Sequence, residues 1–153
     1  MKAIDSSDVY TVPVLSDPNT GALITDSLEI ASYLEKTYPE KPIFPNNSEP
    51  LIRAFDSAYM SLILSGIKLS SRSVDVPLPW DPNCDAEWKL LEKGYNTAYE
   101  WYQKTVGKWI MGNTFSYADI VVACWLVAYK RVLKDDEWAR IILADVEKEY
   151  NLA

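Results

Sequence analysis

Around Pro39, Pro42 and Pro45 the spacing of apolar residues changes period, so the chain on either side of that point has to be built differently. Before it, Tyr10 to Leu15 is a short β-branched run, Ser16 to Gly21 is a series of turn formers, and Ala22 to Thr25 is apolar again. That pattern predicts a β-hairpin. Asp26 then stands where a helix N-cap belongs, with Glu29 three residues on, and Ile30, Ala31, Leu34 and Tyr38 share one helical face. Pro39 and Pro42 end that helix, and Glu40 to Asn47 is a linker.

From Glu49 onward the period is helical. Ile52, Phe55, Tyr59, Leu62, Ile63 and Leu69 form one face, broken by the Pro-rich stretch Val76 to Asn83. Trp88, Leu91, Tyr95, Tyr99, Tyr102 and Val106 mark a second long helix. A third is expected from Ser116 to about Val132 and a fourth over Glu137 to Tyr150. The fold class is therefore α+β, mostly α: a hairpin and helix over residues 1–45 followed by an all-helical domain over residues 46–153. A two-stranded hairpin is marginal in water, which gives the first region the look of part of a larger sheet.

Composition narrows the chemistry. Hydrophobic residues make up 48% of the chain, enough for a core. Fifteen basic against twenty-two acidic residues leave −7, which argues against a nucleic-acid or anionic-membrane surface. No apolar run approaches the ~18 residues of a membrane span, and the N-terminal residues lack the apolar core of a signal peptide, so a cytosolic location is expected. Two cysteines make no disulfide framework. Cys124, inside Val121 to Leu126, is expected to be a small buried hydrophobe, and Cys84 follows the Pro-rich stretch with nothing to mark it as reactive. The chain has no histidine, which removes Ser-His and Cys-His nucleophile pairs and most zinc sites; no metal site is expected.

Two segments carry more than fold. Val12-Pro13-Val14-Leu15 places a proline at the mouth of a strand, as any edge strand allows. Asp26-Ser27 opens a helix directly after a strand. A capping box accounts for the pair by itself, but the same exposed N–H groups and helix dipole attract a carboxylate, Ser27 adds a hydroxyl donor, and Asp26 could meet an ammonium group beside it. Downstream, Gly112-Asn113-Thr114-Phe115-Ser116-Tyr117-Ala118-Asp119-Ile120 has the elements of a reciprocal cap, with Ser116 at the N-cap, Asp119 at N3 and Phe115 stapled onto Ile120.

Taken together, V-P-V-L, a polar turn, T-D-S-L-E-I-A-x-Y-L-E-K-x-Y-P, and the later S-x-A-D-I resemble the glutathione transferase superfamily over roughly residues 8 to 150. The wording from Tyr10 to Pro39 and at Phe44-Pro45 is most like the fungal etherase-related members. The resemblance implies a partial thioredoxin-like domain followed by the family's helical domain, glutathione as co-substrate, and a hydrophobic, electrophilic small molecule as acceptor; a homodimer is left open. It implies a cis peptide before Pro13, backbone pairing of Val12 with the cysteinyl moiety, and the γ-glutamyl group held by Asp26 and Ser27. The family's hydrophobic-substrate pocket is lined by the first two long helices, which makes Tyr59, Tyr99 and Tyr102 its candidates here, although helical spacing suits them equally to the core. Family members place a strand, helix and strand before this proline, carrying the Tyr, Ser or Cys that stabilises the glutathione thiolate, whereas eleven residues precede Val12 here. No catalytic residue can therefore be named. Two functions are compatible with this: a glutathione transferase, and a non-catalytic ligand- or partner-binding form of it.

Overall fold

A computed structural model describes residues 12–70 and 85–141. The expected strand residues before Val12, the Val76–Asn83 break, Cys84 and the end of the last helix at Tyr150 lie outside the described residues. Strand β1 (Val14–Asp17) pairs antiparallel with β2 (Ala22–Thr25), in the register Val14 to Thr25 through Asp17 to Ala22. The turn is tighter than the sequence suggests, because Ser16 and Asp17 extend β1 and Pro18 to Gly21 alone reverse the chain. Gly21 closes it at φ 73°, a left-handed conformation that glycine adopts without a Cβ penalty.

Helix α1 (Ser27–Thr37) follows. It buries Ala31 and Ser32, while Leu34 and Tyr38, expected on the apolar face, are exposed. The reason for Tyr38 is polar: its hydroxyl reaches back to Asp17 at 2.7 Å. A single 3-10 turn at Pro45–Asn47, with Asn46 and Asn47 at φ 57° and 58°, leads into α2 (Glu49–Ser70). Then come α3 (Asp85–Gln103), α4 (Tyr117–Val132) and α5 (Asp135–Ile141). The second long helix stops before Val106, which is 95% exposed rather than on the apolar face.

The chain divides into two compact units, with the boundary inside α2 between Arg53 and Ala54. The second unit has a continuous core. Tyr59, Ile63 and Leu69 of α2 pack with Trp88, Leu91, Tyr95, Ala98 and Tyr102 of α3, Val121, Val122, Leu126 and Tyr129 of α4, and Trp138 and Ile141 of α5. Each large side chain removed from water contributes about 1.5–3 kcal/mol, so this cluster supplies most of the unit's driving force. The helices approach closely at Gly94, where a Cβ would lie 2.3 Å from the Leu62 carbonyl oxygen. Tyr129 donates to the Ile63 carbonyl at 3.0 Å, and Arg140 of α5 pairs with Glu92 of α3 at 3.0 Å while covering the Trp88 ring.

Cys124 is exposed, contrary to the sequence expectation. The buried residues of α4 are Ala118, Asp119, Val121, Val122, Leu126 and Tyr129, and position 124 falls away from the face they define. Ser116 is the N-cap of α4 as expected, and Asp119 Oδ2 accepts from its N–H and its hydroxyl, each at 2.9 Å. Asp119 Oδ1 takes two further donors, the Ile110 N–H and the Tyr102 hydroxyl, both at 3.0 Å. The carboxylate thus joins α3, the connecting loop and α4. The ring of Phe115, the residue before the cap, packs edge-on against Trp109, with centroids 4.9 Å apart.

Candidate functional site

Four of the residues singled out in the sequence lie at the open end of the hairpin. The Val12–Pro13 peptide is cis, and Val12 is 92% exposed. β1 begins at the next residue, and Val14 is paired with Thr25, so both strands end where Asp26 and Ser27 begin α1. Asp26 is exposed and has φ 71° and ψ 129°. Positive φ is uncommon outside glycine, and residues so placed persist where surrounding structure holds them, often at ligand sites.

Asp26 caps α1 through one oxygen. Its Oδ1 accepts from Leu28 N–H at 2.9 Å and Glu29 N–H at 3.2 Å, and Oδ2 has no partner among the described residues. The cap satisfies the second and third N–H groups of the helix. It leaves the first, that of Ser27, beside the exposed Ser27 hydroxyl. This end of α1 therefore offers two donors, a helix dipole and one carboxylate oxygen. It can receive a carboxylate and an amine side by side.

Glu29 does not complete the capping box that its spacing suggested. Its carboxylate is taken by Arg53 Nη1 at 2.6 Å. The other edge of the guanidinium donates to Glu49 Oε1, from Nη2 at 2.8 Å and Nε at 3.1 Å. Lys36 lies 3.9 Å from Glu49 and donates to Ser32 at 2.8 Å. The Arg53 fork holds Glu49 below the usual carboxylate range.

At the far end of the hairpin Asp17 is 6% exposed. Its Oδ2 accepts from the hydroxyls of Tyr33 and Tyr38, both at 2.7 Å, and its Oδ1 from the Asn19 N–H at 2.9 Å. Tyr33 also meets the Thr20 hydroxyl. The hydrogen bonds of Tyr33 first, then Tyr38 and Asn19, bring the Asp17 pKa down to about 2. Glu35 accepts from the N–H groups of Ile43, at 2.6 Å, and Phe44, at 3.2 Å, which fastens the segment after α1. Neither Asp17 nor Glu35 stood out in the sequence. The Asp-x-Asn spacing is a signal for an Asx turn, but the two tyrosines lie five residues apart and share no helical register.

The three tyrosines proposed for a substrate pocket are placed differently from one another. Tyr59 is completely buried, Tyr102 is 7% exposed with its hydroxyl on Asp119, and Tyr99 is half-buried. A groove of about 290 Å³ does open on this helical unit, lined by Ser61, Leu62, Leu64, Ser65, Glu87, Leu90, Lys93 and Gly94, and none of the three tyrosines lines it.

Among the described residues, no helix is long and apolar enough to cross a membrane. Residues 2–42 match the family model for the glutathione S-transferase N-terminal domain, and residues 72–148 match the model for its C-terminal domain. A maleylacetoacetate isomerase of Dictyostelium discoideum is 31% identical over 106 residues, covering 65% of this chain and 48% of that protein. The chain thus spans about half the length of the curated relatives it matches. Among solved structures, a glutathione S-transferase of Ceriporiopsis subvermispora in complex with glutathione matches with a TM-score of 0.74 and 28% identity, over 94% of this chain and 72% of that one. Glutathione transferase GSTFuA2 of Phanerochaete chrysosporium matches with a TM-score of 0.73 and 27% identity, over 99% and 71%. With both domain models matched in chain order and a helical fold carrying a two-stranded sheet, this chain belongs to the glutathione S-transferase family.

Proposed function

We propose that the chain binds glutathione at the open end of its hairpin and takes part in glutathione-dependent chemistry on an electrophilic, hydrophobic small molecule. The observation that carries this reading is the start of α1, where the Ser27 N–H and hydroxyl stand beyond a cap that uses only one oxygen of Asp26. In this reading Ser27 receives the γ-glutamyl carboxylate, Asp26 Oδ2 receives the neighbouring ammonium, and the backbone of Val12 pairs with the cysteinyl amide ahead of Pro13. A fungal neighbour solved in complex with glutathione supports the choice of ligand.

The reaction class follows from what a bound thiolate can do. Addition to an electrophilic carbon is conjugation. Addition to an activated double bond, rotation about the resulting single bond and elimination of the thiolate is isomerisation. The curated relatives named maleylacetoacetate isomerase favour the second for an unsaturated dicarbonyl acid, and the solved fungal transferases favour the first. With no histidine in the chain, a hydroxyl, a backbone N–H or a Lys or Arg cation is left to lower the thiol pKa. Tyr99, the half-buried member of the three tyrosines, is the side chain we assign to the acceptor.

Isothermal titration of glutathione tests the site. Removing a hydrogen bond to a charged group costs about 1.5–3 kcal/mol when it is well formed, so Ser27→Ala should weaken binding about tenfold or more. Equal affinity of the two proteins would remove Ser27 from the site, and no binding by the parent chain would overturn the reading.

A further inference from the structure

The start of α1 is crowded with negative charge. Asp26 caps the helix and Glu29 lies in its first turn, whereas Glu49, which opens α2, lies 3.9 Å from Lys36 in the last turn of α1. An anion arriving at Ser27 meets the Asp26 and Glu29 carboxylates as well as the helix dipole. Glu29 is the critical one, because a carboxylate in a first turn opposes a ligand that the same N–H groups attract. Its side chain is 54% exposed, so it is not sequestered by burial, and the Arg53 Nη1 at 2.6 Å is the cation set against it. Arg53 is itself fixed from the other side by two hydrogen bonds to Glu49 Oε1.

Resting on the glutathione reading above, we propose that Arg53 is a positioning residue for that site: it turns Glu29 away from the helix start and neutralises it, leaving the Ser27 donors open to the ligand's carboxylate. The sequence spacing makes the alternative concrete. With Glu29 at the third helical position, the ordinary arrangement is a reciprocal capping box in which its carboxylate folds back onto the N-cap N–H. That arrangement would hold a second negative charge against the anion's seat. In this structure the guanidinium takes the carboxylate instead.

The experiment is a double-mutant cycle read by glutathione titration at low and high salt. Arg53→Gln should weaken binding about two- to fivefold, the factor that a charge near a helix end carries at a solvent-exposed position. Glu29→Gln should bind as tightly as the parent or more so. The double variant E29Q/R53Q should return to within about twofold of the parent, because the repulsion that Arg53 offsets is gone. Arg53→Lys keeps the charge and should stay near the parent. The Arg53→Gln deficit should shrink as salt is raised from about 0.01 to about 0.5 M, as screening requires. A double variant as weak as Arg53→Gln alone, or a deficit indifferent to salt, would reduce Arg53 to a packing role and overturn the proposal while the Ser27 site stood. Failure of the parent to bind glutathione would overturn both.

Discussion

A carboxylate that accepts two phenolic hydroxyls and a backbone N–H stays ionised far into acid, and Asp17 is such a group, with a pKa of about 2 against an ordinary 3.8. The linkage has a definite sign. A depressed folded-state pKa contributes stability that is fully present above pH 3.8 and disappears as the pH falls through about 2. Asp17→Asn removes the charge that Tyr33 and Tyr38 solvate, so it should lower the urea midpoint at neutral pH. The gap between parent and variant should then close between about pH 4 and pH 2. A gap that stays constant across that window would mean the two hydroxyls do not stabilise the ionised form. Composition and spacing give little warning of such a residue. The Asp-Pro-Asn-Thr-Gly run announces a turn, but partners at positions 33 and 38 become visible only once α1 lies against the hairpin.

At the scale of elements, Asp119 shows which parts of a motif are readable. The Ser-x-x-Asp spacing sets a cap, and the N–H of Ser116 is where that spacing puts it. The remaining donors, from Ile110 and Tyr102, come from the preceding loop and from another helix, so no local pattern encodes them. The packing of Phe115 on Trp109 is likewise a contact that the capping motif does not announce. The stability prediction follows from the donor count. A cap alone is worth about 1 kcal/mol. Asp119→Ala strands several buried donors at once, each worth about 1–3 kcal/mol when unpaired, and should cost about 3–4 kcal/mol in total once the site relaxes. Tyr102→Phe removes a single donor and should cost about 0.5–1.5 kcal/mol. Denaturant midpoints measure both, and equal losses for the two variants would show that Asp119 acts as an ordinary cap.

Across the whole molecule the two units are stabilised by different means. The helical unit rests on a broad aromatic and aliphatic core, and its helices are legible because a 3.6-residue period marks each buried face. Among the described residues of the first unit, only Ala31, Phe44 and Ile52 are buried and apolar, and the polar ties of Asp17, Glu35 and Arg53 hold the rest. A unit with so little core should respond strongly to a ligand that adds contacts at its open end. Binding stabilises the folded state by RT ln(1 + [L]/Kd), about 2.7 kcal/mol at a hundredfold excess over Kd. For a chain of this size each kcal/mol moves the melting midpoint about 2–4 °C, so saturating glutathione should raise it by about 5–10 °C. The γ-glutamyl group is the part of the ligand assigned to Ser27 and Asp26. Cysteinylglycine, which carries the same thiol but lacks that group, should at equal concentration give less than about half the shift. Ser27→Ala should bring the two ligands closer together, because it removes a contact that only glutathione can make. Equal shifts for glutathione and cysteinylglycine on the parent chain would mean that recognition runs through the thiol end, and would move the site away from the start of α1.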